Sequence, residues 1–187
     1  MPGPVFIEGE HVSLRTVEEE DVGFLQAQVN DARVRRPIGR SWPLNREQER
    51  GFFDEVVCDD DTVHLLVAAD AESGPEPVGM VGLDPVDHEA RRAELGYWVA
   101  PDHQRQGYGT AAVRLLVGYG FDQLGLHKLA ARVFEFNDPS ARLLERVGFV
   151  REGVHRDEVF VDGAFHDTYW YGLLAEEWRA NETSSEE

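Results

Sequence analysis

The chain has 187 residues, of which 42% are hydrophobic and 10% aromatic, and this predicts one folded domain with a sizeable core rather than a disordered protein. Its 36 acidic residues outnumber 18 basic ones, giving a formal net charge of −18, which argues against a nucleic-acid partner because phosphate binding needs a positive face. No apolar run is long enough to cross a membrane and no signal peptide is visible, so we expect a cytoplasmic protein. The single cysteine, Cys58, excludes an internal disulfide and a cysteine-based metal cluster, and we expect no metal centre.

The first part of the chain predicts one strand and two helices. Residues 11–15 alternate in polarity and form the first strand. Thr16 and Glu19 match a capping box that opens a helix, whose buried stripe consists of Val22, Leu25 and Val29. Residues 31–43 are rich in arginine and interrupted by proline and glycine, which predicts a loop or a short helical turn. A second helix is indicated by the capping pair Asn45 and Gln48.

Two strands follow, at residues 63–69 and 77–83, separated by a turn at residues 70–75, and a loop at residues 84–92 leads to the central stretch. That stretch, residues 94–120, combines a strand, a loop with two glycines and a helix. Together these elements predict an anion site, because free N–H groups and the positive end of the helix dipole point into the loop.

The glycine loop is distinct from other phosphate-binding loops. No Gly-Lys-Ser/Thr follows the glycines, so it is not a Walker loop, and Ala112 stands where a dinucleotide fingerprint has its third glycine. Gly107 and Gly109 would let a phosphate approach the backbone, with no Cβ in the way. The alternative reading is a plain turn between strand and helix.

The second half predicts a strand at residues 128–134 and then a helix with Asp138 as its N-cap, ended by Gly148. The last two strands, residues 149–160 and 164–174, join through the hairpin dipeptide Asp162-Gly163. The resulting order is strand, two helices, three strands, helix, strand, helix and two strands. It predicts an α+β fold, an α/β sandwich with helices on both faces of the sheet.

The spacing Gln104-x-x-Gly107-x-Gly109 resembles the acetyl-CoA pyrophosphate loop of the GNAT N-acetyltransferase superfamily. The motif from Asn137 to Phe149 resembles the N-x-x-S/A…GF helix of that family, and residues 94–98 resemble its RimJ/RimL-type subgroup. The similarity covers about residues 5–178. It implies a mixed, mostly antiparallel sheet in a single domain of residues 1–179, with residues 180–187 as a disordered polar tail.

The resemblance also implies acetyl-CoA as cosubstrate. The end of the central strand, Trp98 and Val99, would pair with the pantetheine arm. The pyrophosphate would be held by the loop residues Gln104, Arg105, Gln106, Gly107, Tyr108, Gly109 and Thr110. Asn137 and Ser140 would contact the pantetheine or its reacting end. Alternatively, Arg105 is a solvated arginine and Asn137 caps a loop.

Acetyl transfer to an amine needs a base, donors for the tetrahedral oxyanion and an acid for the leaving thiolate. A backbone N–H near Val99 suits the oxyanion. Many members of the family place a tyrosine where this chain has Leu144, so we predict Ser140 as thiolate donor, with a first-turn serine bonded to backbone as the alternative.

For the base we predict Glu94, acting through water, unless it is paired with Arg91 or Arg92. Glu158 lies one residue from the family's glutamate position, Val159, and strand alternation predicts that it faces away. Asn137 completes the predicted catalytic set.

The leading hypothesis is an N-acetyltransferase acting on a primary amine, either the α-amino group of a protein, such as a ribosomal protein, or a small molecule. The alternatives are a non-catalytic acyl-CoA-binding domain and a nucleotide-dependent enzyme. A homodimer is left open. The acidic surface either attracts a cationic substrate or reflects a high-salt cytoplasm, and the scarcity of lysine, with Lys128 alone, favours the second.

Overall fold

The computed structural model describes residues 2–71 and 74–185, which form eight strands and six α-helices. The strands are β1 (Val5–Ile7), β2 (Val12–Thr16), β3 (Val63–Ala71), β4 (Gly74–Asp87), β5 (Arg92–Val99), β6 (Lys128–Phe134), β7 (Val150–Val161) and β8 (Ala164–Leu174). The helices are α1 (Val22–Asn30), α2 (Ala32–Arg35), α3 (Arg46–Phe52), α4 (Tyr108–Asp122), α5 (Asp138–Val147) and α6 (Ala175–Ser185).

One sheet contains all eight described strands, in the order β1-β2-β3-β4-β5-β6-β8-β7. Every neighbouring pair is antiparallel except β5 and β6, which run parallel because α4 crosses between them. The predicted α+β class, with a mixed and mostly antiparallel sheet and helices on both faces, is confirmed.

The two faces of the sheet carry separate cores. On one face, helices α4 and α5 cover the larger core, which includes Leu95, Leu116, Phe121 and Leu144. On the other face, α1 and the segment around α2 cover a smaller core that includes Leu25, Val34 and Trp98. Because side chains alternate along a strand, β5 contributes Leu95 and Tyr97 to the first face and Trp98 to the second.

Several boundaries differ from the sequence predictions for local reasons. The capping box before α1 uses Glu18 and Asp21 instead of Thr16 and Glu19, and the Thr16 hydroxyl donates to the Glu18 carboxylate at 2.6 Å. The stripe of Val22, Leu25 and Val29 is buried as predicted. Strand β4 continues to Asp87, through the first four residues of the expected loop, and a further strand, β1, precedes the first predicted one. Part of the expected turn at residues 70–75 lies outside the described residues.

The C-terminal part follows the sequence closely. Asp162 and Gly163 both have positive φ, +51° and +89°, as a type I′ hairpin requires. Gly148 ends α5 at φ +115°. Helix α6 continues past Ala180, where the tail is expected to begin, to Ser185; the last two residues lie outside the described part. Within the described residues, every helix is too short or too polar to cross a bilayer.

Candidate active site

The site is a cleft in the middle of the sheet, where β5 and β6 separate. The two strands pair at only three positions, the last being Glu94 with Ala130. Beyond that point β5 stays with β4 as far as Val99, while β6 stays with β8 as far as Phe134. The gap is part of a cavity of about 1120 Å³. The cleft therefore connects the two faces of the sheet, a geometry suited to a reaction between two bound molecules.

The glycine loop lies at the α4 end of the cavity. Gly107 is the N-cap of α4 with φ +88°, and Arg105 also has positive φ, +62°. A Cβ on Gly109 would stand 3.1 Å from Leu143 Cδ1 and 3.3 Å from Val99 Cγ2, so glycine allows the helix to approach the strand. The first N–H groups of α4 and its dipole thus face the cavity, as an anion site requires.

The loop side chains divide between lining and bracing. Of the predicted loop set, all but Gln106 line the cavity, namely Gln104, Arg105, Gly107, Tyr108, Gly109 and Thr110. Gln106 instead donates to the Asp102 carbonyl at 3.4 Å. Gln104 also donates to the Val99 carbonyl at 3.0 Å, which fixes the loop against the end of β5.

Four arginines outside the predicted loop also line the cavity: Arg33 in α2, Arg132 on β6, and Arg142 and Arg146 on α5. Arg142 and Arg146 are four residues apart and therefore share one helix face. In a chain of net charge −18 this local group of cations is suited to phosphate. The i, i+4 spacing was a signal in the sequence, but only the packing of α5 against α4 shows which face meets the cleft.

The backbone at the end of β5 presents polar groups to the gap. Ala100 N–H donates to the Val78 carbonyl of the neighbouring strand at 2.8 Å. Since successive N–H groups in a strand point to opposite sides, the N–H of Val99 points away from β4 and towards the gap. Trp98 and Val99 both line the cavity, as predicted.

The start of α5 brings Asn137 and Ser140 into the cavity. Asn137, and not the predicted Asp138, is the N-cap, and its Oδ1 accepts from the Ser140 N–H at 3.4 Å. Ser140 Oγ lies 2.8 Å from the hydroxyl of Tyr97. Leu144 is fully buried in the core beneath. Ser140 is thus the hydroxyl that α5 offers to the cleft.

The opposite face of the gap carries two carboxylates. Glu94 lines the cavity and accepts from Arg132 Nε at 2.5 Å, so its partner is Arg132 on β6 and neither Arg91 nor Arg92. Arg132 also lies over the Trp170 ring, with Cζ 5.6 Å from the ring centroid. The ion pair joins the two strands just beyond their last paired residues.

Glu158 is the second carboxylate, and the expectation that it faces away is wrong. Between His155 and Val159 the register of β7 shifts, because four residues of β7 advance against two of β8, from Thr168 to His166. This bulge interrupts the alternation, so both Glu158 and Val159 line the cavity. Asp157 has φ +50°, and its N–H donates to Asp167 at 3.0 Å, which holds the bulge.

Glu158 is held by a histidine. His155 Nδ1 lies 2.7 Å from Glu158 Oε1, and this hydrogen bond is the main cause that lowers the pKa of Glu158. Trp170 Nε1 lies 3.0 Å from the same His155 nitrogen, which cannot accept from it while donating to Glu158. Thr168 is buried, with 1% of its surface exposed. Its hydroxyl lies near enough to help lower the pKa of Glu158, but it makes no hydrogen bond of good geometry among the described residues.

Two tryptophans and a second histidine do not line the cavity. Trp42 is 84% exposed, and neither Trp42 nor Trp170 lines the cavity. His166 bonds Glu135 at 2.8 Å, so it is paired, as His155 is. The predicted loop of residues 31–43 does form one wall, through Val34, Pro37, Ile38 and Gly39.

Comparison with known proteins agrees with this geometry. Residues 11–150 match the family model of the acetyltransferase (GNAT) domain. The chain belongs to the GNAT acetyltransferase family. Family and fold together make it a GNAT-type N-acetyltransferase, for which acetyl-CoA is the cosubstrate.

Individual relatives differ in what their names state. Spermidine N(1)-acetyltransferase of Escherichia coli K12 is 30% identical over 83% of this chain and 82% of its own length. YdaF of Bacillus subtilis, named as an unproven ribosomal N-acetyltransferase, is 41% identical, but over 54% of this chain and 55% of YdaF, little more than half of either protein.

A solved GNAT structure has the same fold. The spermidine N-acetyltransferase of Vibrio cholerae in complex with CoA and spermine superposes with a TM-score of 0.85, at 23% identity over 91% of this chain and 99% of that one.

Proposed function

We propose that this protein moves the acetyl group of acetyl-CoA directly to a primary amine of a small cationic molecule, the class to which spermidine belongs. One observation carries the proposal: the cleft between β5 and β6 joins an anion-binding loop on one side to the carboxylates of Glu94 and Glu158 on the other. An ammonium ion is attracted to that carboxylate side, and the relatives named for spermidine support the same class.

The cosubstrate would enter along the α4 face. The loop and the arginines beside it would bind its phosphates, and the carboxamide N–H groups of Asn137, whose Oδ1 caps α5, would donate to the pantetheine arm. The thioester would then lie in the gap beside Val99, whose N–H is directed at the position of the oxyanion.

The proton transfers would use opposite sides of the cleft. Glu158 is proposed as the base, directly or through one water, because among the described residues its carboxylate forms its ion pair with His155 and not with an arginine, whereas Glu94 is engaged by Arg132. The pair of Glu94 and Arg132 would then position the amine and its water. Ser140, on the thioester side, would donate to the leaving sulfur.

The second candidate acceptor is the α-amino group of a protein, which is the RimJ/RimL-type reading. It is favoured by the similarity to YdaF and by the sequence of β5 that resembles this subgroup. Both candidate acceptors present a primary amine to the same chemistry, and they differ only in the part of the acceptor that lies outside the cleft.

The test is an acetyl-transfer assay that follows release of the free thiol of CoA. The acceptor panel contains spermidine, spermine, simple monoamines and basic peptides with free N-termini. The proposal expects turnover with the small polyamines. Turnover with the peptides alone would replace it with the second candidate, and tight binding of acetyl-CoA without any turnover would favour a non-catalytic domain.

The variant Glu158→Gln tests the base. We expect kcat to fall by roughly 10²–10⁴-fold, the usual contribution of a general base. Glu152→Gln is the matched control. Glu152 lies on the same strand, but its carboxylate accepts from Lys128 Nζ at 2.7 Å and does not line the cavity. Equal activities of the two variants would contradict the assignment of Glu158.

A further inference from the structure

Tyr97, on β5, is tied to the proposed acid. Its hydroxyl lies 2.8 Å from Ser140 Oγ and 3.3 Å from the Ser140 carbonyl oxygen, so its one hydrogen has two possible acceptors, of which Oγ is the nearer. The ring packs on the larger core, and both residues line the cavity. The strand and the helix that hold the two residues are rigid elements, so the contact joins the wall of the cleft to the first turn of α5.

The tyrosine keeps its proton. Burial raises the pKa of Tyr97 to about 12. Tyr97 therefore stays protonated near neutral pH, and its O–H remains a hydrogen-bond donor. The hydroxyls of Tyr97 and Ser140 are both weaker acids than a thiol, so a hydroxyl can give its proton to the sulfur only if another proton replaces it in the same step.

The direction of that donor decides what Ser140 can do. A hydroxyl has one hydrogen to donate and two lone pairs to accept with. Both acceptors near the Tyr97 hydroxyl, Oγ and the carbonyl oxygen, belong to Ser140. When Tyr97 donates to Oγ, the hydrogen of Ser140 cannot point back at the tyrosine and is left for another acceptor in the cavity that Ser140 lines.

We infer that Tyr97 is a positioning residue, which orients the Ser140 hydroxyl so that its hydrogen is directed at the sulfur of the bound thioester. This inference rests on the proposed function. It assigns a role to a residue that lies outside both the glycine-loop motif and the α5 motif. Tyr97 acts through Ser140 and does not need to touch the substrate.

The proton that reaches the sulfur comes through Ser140. The amine nitrogen bonds to the acetyl carbon, the carbon–sulfur bond breaks, and its electron pair goes to sulfur. Ser140 Oγ–H gives its proton to that sulfur as one of the protons lost by the amine passes to Oγ, so no serine alkoxide forms. Over the reaction the ammonium loses two protons, of which one ends on the thiol of free CoA and the other goes to solvent.

A merely structural role would give different results. As a latch between β5 and α5, the contact would affect folding and acetyl-CoA binding, and kcat would follow only as far as those change. Tyr171 provides the control, because its hydroxyl also ties a strand to α5, by donating to Glu145 at 3.2 Å, yet Tyr171 does not line the cavity.

The experiment compares Tyr97→Phe, Ser140→Ala, the double variant and Tyr171→Phe in the full chain, with melting curves to verify folding. We expect Tyr97→Phe to lower kcat about tenfold with an unchanged Kd for acetyl-CoA, and Ser140→Ala to lower it at least as far. The double variant should be no slower than Ser140→Ala, because Tyr97 acts through that serine, and Tyr171→Phe should keep the wild-type kcat.

Several outcomes would overturn the inference. One is a kcat of Tyr97→Phe equal to that of Tyr171→Phe, and another is a Tyr97→Phe loss that persists in full in the Ser140→Ala background. A third is a Ser140→Ala variant with full activity. A wild-type protein that binds acetyl-CoA but acetylates no amine would overturn the proposed function and this inference together, which separates that failure from the first three.

Discussion

The substitution Gly107→Ala separates the cofactor role of the glycine loop from its backbone strain. Gly107 has φ +88°, and a Cβ there would meet no protein atom within 4 Å. An L-residue in the left-handed region costs roughly 1–2 kcal/mol. A domain of this size loses about 2–4 °C in Tm per kcal/mol, so the strain alone predicts a fall of about 2–8 °C. The new methyl group would also occupy the space offered to the pyrophosphate.

Gly163→Ala is a matched control for this change. Gly163 has φ +89°, and a Cβ on it would likewise meet no protein atom within 4 Å, but it lies in the β7–β8 turn, outside the cavity lining. Thermal melts should show similar losses for both variants. Calorimetric titration with acetyl-CoA should show a Kd at least about tenfold weaker for Gly107→Ala only, a difference of about 1.4 kcal/mol. Equal acetyl-CoA affinities of the two variants would refute the phosphate role of the loop.

Two further predictions concern stability. The His64 side chain is buried, and this burial lowers its pKa below 6.5, although Asp84 at 3.6 Å acts in the opposite direction. The contribution of neutral His64 to the free energy of unfolding is therefore present above pH 6.5 and is lost as the pH falls towards the lower pKa of the folded state. Denaturant titrations between pH 8 and pH 5.5 should show a steeper loss for the wild type than for His64→Gln, and parallel curves would contradict the assignment. The net charge of −18 predicts that Tm rises with KCl from 0.1 M to above 1 M, where the screening length falls from about 10 Å to about 3 Å. A Tm that is flat or falling with KCl would contradict the reading of the acidic surface as an adaptation to salt.

Elements with strong local signals were predictable from the sequence. The stop at Gly148 and the turn at Asp162-Gly163 follow from positions that need positive φ, which the residue type itself indicates. The loop from Gln104 to Thr110 combines glycines with a helix start, and the structure places all but Gln106 of its residues in the cavity. These features depend on residues that are close together in the sequence, so a local sequence pattern is enough to predict them.

The amine side of the cleft could not be predicted in the same way. Glu158 depends on a bulge that is defined by pairing with β8, and a rule of strict alternation gives the wrong face. The partner of Glu94 is Arg132, 38 residues away, and the parallel pairing of β5 with β6 brings them together. The N-cap of α5 moved by one residue because Asn137 and Asp138 are equally good caps by type, and only the backbone geometry decides between them.

The separation of β5 and β6 leaves an unpaired strand edge inside the molecule instead of at its rim. Such an edge has main-chain N–H and C=O groups available for pairing, and packed cores lie on both faces of the sheet around it. The pantetheine arm of acetyl-CoA carries amide groups of its own, so we expect it to pair with this edge. Hydrogen exchange at the Val99 amide should then be slower with acetyl-CoA bound than without it, and would report occupancy of the cleft directly.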